Sequence, residues 1–239
     1  MMVTGAEADR YLEASLKELK RLCDDVIIAT NNVDKKTKDL INKYKFWQYE
    51  DNREWGKNQP AIKGDLLDKV GGLKPDWVIA IDSDEVFAPE FTREEAERLA
   101  DTKEIAYYFM IVNLYGDKEH FVHGAGIQRF WNIRYFKYIS DHVKYQKKNL
   151  HCGLAPPIFY HKGWHAPFYV EHYGLMKKED RLQKAERYAK YDPDALCKGQ
   201  VYYDDLVAEL KPMKFDRQGL LDKLNSVPDT QPRNKKIWK

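Results

Sequence analysis

The sequence predicts an α/β fold, a mostly parallel, Rossmann-like sheet flanked by helices with an antiparallel extension after it. Three observations predict it. Val26, Ile27, Ile28 and Ala29, and again Val78, Ile79, Ala80 and Ile81, are apolar on both alternating faces, as in strands covered by helices on two sides. Between such runs the apolar residues recur at helical spacing, and beyond residue 100 two long aromatic, β-branched runs follow with no helical pattern between them.

Taken in order, residues 1–4 read as the end of a short or truncated first strand. Leu12, Leu16, Leu19 and Cys23 fall at i, i+4, i+7 and i+11, one apolar stripe of a helix over residues 8–23. The strand at 26–29 runs into a polar loop, Thr30 to Asp34, then a helix over 35–44 and a weaker strand near 46–49. Ile62, Leu66, Leu67 and Val70 mark a third helix, closed by Gly71 and Gly72. Strand and helix in succession imply right-handed crossovers and parallel pairing. Thr92 with Glu95 forms a capping box that opens a helix to about residue 100. Residues 105–114 and 128–139 suggest antiparallel strands, residues 177–191 a charged helix stopped by Asp192 and Pro193, and the last dozen residues a polar tail.

With 239 residues, 43% hydrophobic and 33% charged, the chain can bury one sizeable core. Forty basic against 38 acidic residues leave a net charge of +2, which gives no field directed at nucleic acid. Cys23, Cys152 and Cys197 are scattered, without disulfide or zinc spacing, and fit a reducing cytoplasm. No apolar run approaches the roughly 18 residues of a membrane span.

The strand at 77–81 ends abruptly in Asp82, Ser83, Asp84 and Glu85. Parallel strands place ligand sites at their carboxyl ends. In an extended segment Asp82 and Asp84 would point the same way and share one cation or polar substrate. Oxygen ligands favour Mg²⁺ or Mn²⁺, whose remaining positions go to water and substrate phosphates. The plain alternative is a polar turn capping the next element, but carboxylates at a buried strand end need compensation.

Four segments resemble the family 2 glycosyltransferases of the GT-A fold: residues 7–12, beginning at Glu7; residues 26–34; residues 76–85 with the D-x-D; and His172, Tyr173 and Gly174 before a basic helix. The resemblance spans roughly residues 1–195. It implies transfer of a sugar from a nucleotide-diphosphate sugar to a hydroxyl acceptor, usually with inversion, using Mn²⁺ or Mg²⁺. It divides the chain into a nucleotide-sugar half (1–100), an acceptor-side half (101–195) and a C-terminal helix and tail (196–239). On its terms Asp82 approaches ribose or metal, Asp84 binds the ion, Glu85 serves sugar, acceptor or metal shell, and Thr4, Glu7 and Asn31 lie near the nucleobase. Family members often carry Asp where this chain has Thr30, so base recognition there loses a charged acceptor.

Lys63, after Lys57 and Gln59, would face the donor, and Lys177, Arg181 and Lys184 form an i, i+4, i+7 basic stripe that could hold a diphosphate. Glu179 and Asp180 interleave with the stripe, which reads equally as a salt-bridged surface. Among seven histidines the resemblance makes His172 the candidate to complete the metal shell. It likewise makes Asp141, beside His142 after the second aromatic strand where the family places acceptor-side groups, the candidate general base. Trp131, Tyr135, Phe136, Trp164 and Phe168 could stack on sugars or pack the core. Two rivals use the same residues: a nucleotidyl or phosphoryl transferase, for which a glycine-rich phosphate loop is missing, and a catalytically silent binding module.

Overall fold

The computed structural model describes residues 1–140 and 153–226. Its first unit follows the sequence pattern. Strands β1 (Met2–Thr4), β2 (Ile27–Asn31) and β3 (Trp47–Glu50) form a parallel three-stranded sheet in that order, joined by helices α1 (Leu12–Leu22) and α2 (Lys35–Lys43). The α1 stripe is buried through Leu12, Leu16 and Leu19, with Leu22 added. Asp34 caps α2 by accepting from the Thr37 backbone N–H at 2.8 Å. Helix α3 (Trp55–Gly71) starts well before its apolar stripe and carries Pro60 inside, so local periodicity understates its length.

The expected fourth parallel strand is a correction. Strand β4 (Trp77–Ile79) is only three residues long and runs antiparallel to β8 (Phe130–Lys137), Trp77 lying opposite Lys137 and Ile79 opposite Tyr135. Aromatic packing supports this partner, because the Trp77 ring stacks on Tyr135 with centroids 4.6 Å apart. β4 thereby joins a seven-stranded mixed sheet with β5 (Glu85–Phe87), β6 (Ala106–Tyr115), β7 (Asp117–Phe121), β9 (Trp164–His172) and β10 (Met213–Lys214). Among the described residues, β1 with β2, β2 with β3 and β6 with β9 pair in parallel; the other five pairings are antiparallel. The fold is mixed α/β, not a mostly parallel sheet.

β9 carries Pro167, which lacks an N–H for the ladder. The register with β6 slips between Tyr108 and Met110, opposite this stretch, so the proline sits where pairing is interrupted. Thr92 caps helix α4 (Arg93–Ala100) as its spacing predicts, accepting from the Glu95 N–H at 3.3 Å. Helix α5 (Lys178–Tyr191) packs against α6 (Gln200–Val207), and α7 (Arg217–Asn225) packs on β9. Phe87, Phe91 and Phe109 meet within 5.1 Å at the centre of the main core. No described helix is long and apolar enough to cross a membrane.

Candidate active site

Between β4 and β5 the chain leaves extended structure and turns back on itself. Glu85 N–H donates to the Asp82 carbonyl at 3.2 Å, and Asp82 N–H donates to Glu85 Oε2 at 3.1 Å. Ser15 on α1 donates its hydroxyl to the carbonyls of Ser83 and Glu85 at 2.9 and 2.8 Å. Beneath the turn Arg134 of β8 grips Glu85 bidentately, Nε to Oε2 at 2.7 Å and NH2 to Oε1 at 2.5 Å, both side chains only 2% exposed. Both carboxylate oxygens of Glu85 are therefore committed to arginine. That corrects its expected place on sugar, acceptor or metal: it holds the turn in shape.

Because the chain turns at residues 83 and 84, the two-residue alternation that would align Asp82 with Asp84 does not apply. Asp84 instead meets His172 at the end of β9, Oδ2 lying 3.3 Å from Nε2. Asp82 stays apart, 46% exposed and 3.9 Å from Arg134 NH2. Among the described residues no three His, Cys, Asp or Glu side chains gather around one point, so the expected three-ligand set of Asp82, Asp84 and His172 reduces to a pair. Asn113 fixes the imidazole. Its Nδ2 donates to the Gln128 carbonyl at 3.0 Å, which turns its Oδ1 toward His172 Nδ1 at 2.7 Å. That oxygen only accepts, so Nδ1 donates to it and Nε2 is turned toward Asp84. Gly174 completes the cradle, since a Cβ there would lie 2.0 Å from Asp84 Oδ2 and 2.9 Å from His172 Nε2.

Asp82, Asp84, Glu85, Arg134 and His172 line a cavity of about 220 Å³ together with Thr4, Glu7 and Lys63. Cations line it as well: Arg10 from the loop before α1, and Lys184 and Arg187 from α5. Arg10 donates to Glu7 at 2.8 Å and to Asp180 at 3.0 Å, and Tyr11 donates to the other Asp180 oxygen at 2.9 Å. No described carboxylate pairs with Lys184 or Arg187. Burial pushes the Glu7 carboxyl up to about 7 despite Arg10, and Asp84 adds to the rise. Although its side chain is 46% exposed to the cavity, desolvation within that recess and the neighbouring Glu85 and Asp84 raise the Asp82 carboxyl against Arg134 and Lys63. Burial would raise Asp84 too, but His172, Lys184 and Arg10 outweigh it and hold its carboxyl below the ordinary range. Burial lowers Lys184.

Several expected residues stand elsewhere. Thr30 and Asn31 do not line the cavity: Thr30 donates to the Tyr49 carbonyl and Asn31 to the carbonyls of Asp51 and Arg53, so both tie the end of β2 to β3 and the loop after it. Arg181 is buried at 5% exposure, donates to the Leu175 and Met176 carbonyls and lies over the Tyr115 ring at 4.1 Å. The basic stripe thus splits, and only Lys184 reaches the cavity. Of the five aromatics singled out, Tyr135, Phe136 and Phe168 are buried, and Trp131 stacks on His165 at 4.0 Å while Trp164 packs against the core. Asp141, the candidate base, lies outside the described residues, as do His142, His151 and Cys152. Sequence reasoning missed Arg10, Arg187, Arg134 and Phe130. Arg187 follows Lys184 at i+3, a spacing that could have marked it.

No family model matches the chain, and no curated protein does. Among solved structures, S. aureus TarS is similar over 53% of this chain and 23% of its own, with 10% identity and a TM-score of 0.36. A TarS fragment, 1-349, is similar over 87% of this chain and 69% of its own, at 11% identity and 0.46. CTP:phosphocholine cytidylyltransferase from Streptococcus pneumoniae (LicC) is similar over 93% and 96%, at 12% identity and 0.31. Likenesses at these scores carry no argument about activity, and the site is read from its own residues.

Proposed function

We propose that the chain is a metal-dependent glycosyltransferase that moves a sugar from a nucleotide-diphosphate sugar to a hydroxyl acceptor with inversion. One observation carries the reading: a carboxylate and an imidazole nitrogen converge, with glycine leaving room beside them, in a cavity also lined by Lys184 and Arg187, which form no ion pair with a described carboxylate. Mn²⁺ or Mg²⁺ needs few protein ligands when substrate phosphates and water supply the rest, and the Asp84 and His172 pair fits that need. A nitrogen ligand favours Mn²⁺. Held there, the ion would offset negative charge on a departing diphosphate.

The chain's own groups do the remaining work. Lys184, Arg187 and Arg10 attract the diphosphate electrostatically and favour its charge as the bond to the sugar breaks. Glu85, Arg134 and Ser15 keep the acidic turn rigid. Thr4, Glu7 and Lys63 meet the nucleoside side of the donor. Asp141 is the proposed base that takes the acceptor's proton.

The test is incubation with a panel of nucleotide sugars. Mn²⁺-dependent release of nucleoside diphosphate, abolished by Asp84→Ala, is the expected outcome. Absence of release with every donor, or release that survives Asp84→Ala, overturns the assignment.

A further inference from the structure

Strand β8 presents alternate side chains, Phe130, Asn132 and Arg134, to the cavity, while Trp131, Ile133 and Tyr135 pack away from it. Arg134 is consumed by Glu85. The other two are not. Phe130 is 40% exposed, a large apolar ring at the cavity's edge. Asn132 accepts from the Ile133 N–H at 3.0 Å through Oδ1, and its NH₂ has no partner among the described residues. The Lys198 ammonium borders the Phe130 ring at 5.5 Å, and Asp82 lines the same cavity, half-exposed.

We propose that Phe130 and Asn132 form an acceptor subsite for a carbohydrate ring, an inference that rests on the glycosyltransferase reading and names its acceptor class. A pyranose has an apolar C–H face bounded by hydroxyls. The ring of Phe130 matches that face, and stacking on an aromatic needs no charge on the ligand. The hydroxyls meet a free amide donor, a carboxylate acceptor and an ammonium. A cavity wall with an aromatic platform and a few placed polar groups orients a small polyol. The platform stands on β8 and the cations Lys184 and Arg187 on α5, so different elements supply the two.

The test loads the full chain with Mg²⁺ and inorganic pyrophosphate, then titrates glucose, galactose, maltose and chitobiose, with glycerol and butanol as comparators, by saturation-transfer NMR. At least one saccharide is expected to receive saturation at its ring C–H protons, and the two comparators none. Phe130→Ala and Asn132→Ala are each expected to weaken that binding roughly 3- to 10-fold. Trp47→Ala, which removes an exposed aromatic outside the cavity, leaves it unchanged. The proposal is overturned when no saccharide binds, when binding survives Phe130→Ala, or when Trp47→Ala removes as much. Pyrophosphate binding in the same samples reports on the donor side: its loss in Asp84→Ala with saccharide binding intact supports both readings. Its absence in the unaltered chain sinks the donor assignment and leaves the saccharide result to stand alone.

Discussion

The buried pair under the acidic turn gives the sharpest stability prediction. Arg134→Met removes two charge-assisted bonds, at 2.7 and 2.5 Å, from a glutamate that is 2% exposed. Such bonds contribute about 1.5–3 kcal/mol each, and breaking one partner of a buried ion pair costs roughly 3–5 kcal/mol because the remaining charge is stranded. We expect a loss of about 4 kcal/mol, a large fraction of the roughly 5–15 kcal/mol that holds a typical domain together. Glu85→Leu should cost a comparable amount by stranding the guanidinium. Replacing both, Arg134→Met with Glu85→Leu, should recover most of the loss, since two apolar groups need no partners. Urea titrations of the four proteins give the midpoints, and an unchanged slope shows that the unfolded states are comparable. A single-variant loss under about 1 kcal/mol, or a double variant as unstable as the sum of the singles, would refute the account of the turn as held by this pair.

Two further outcomes follow from the cavity. Gly174→Ala places a methyl carbon against Asp84 and His172; the fold should survive and Mn²⁺ affinity, read by calorimetric titration, should fall at least about 10-fold, whereas an unchanged affinity would remove the pair as the ion's seat. Glu7 has its folded carboxyl pushed up from 4.5 to about 7, so the folded state binds its proton more tightly than the unfolded one. Stability should therefore fall as pH rises from about 4.5 through 7 and level off above, by roughly 3 kcal/mol in all. Glu7→Gln should flatten that slope; urea midpoints between pH 5 and 8 that stay parallel for the two proteins would refute it.

The parallel unit was legible because its determinants are local: the α1 stripe, the Asp34 and Thr92 caps and the apolar run of β2 depend on neighbours in sequence. The acidic turn was visible for the same reason. What β4 pairs with was not, since three apolar residues suit either direction and the deciding contact, Trp77 on Tyr135, lies across 58 positions of chain. β9 hides behind Pro167 and two histidines, which break the strand pattern. Arg181 and Arg187 look alike in sequence, and only the rotation of α5 sends one inward to carbonyls and the other to the cavity.

The amide of Asn113 gives the site a choice of chemistry that no ligand residue makes for itself. A backbone carbonyl at Gln128 orients that amide, the amide holds Nδ1 of the imidazole, and Nε2 is thereby turned toward Asp84 in the cavity. Under the proposed reading, preference for a softer ion is written into a loop leading to β8, two bonds removed from the metal's own shell. Ion selectivity could thus drift or be tuned by exchanging an inner amide while every residue touching substrate stayed the same.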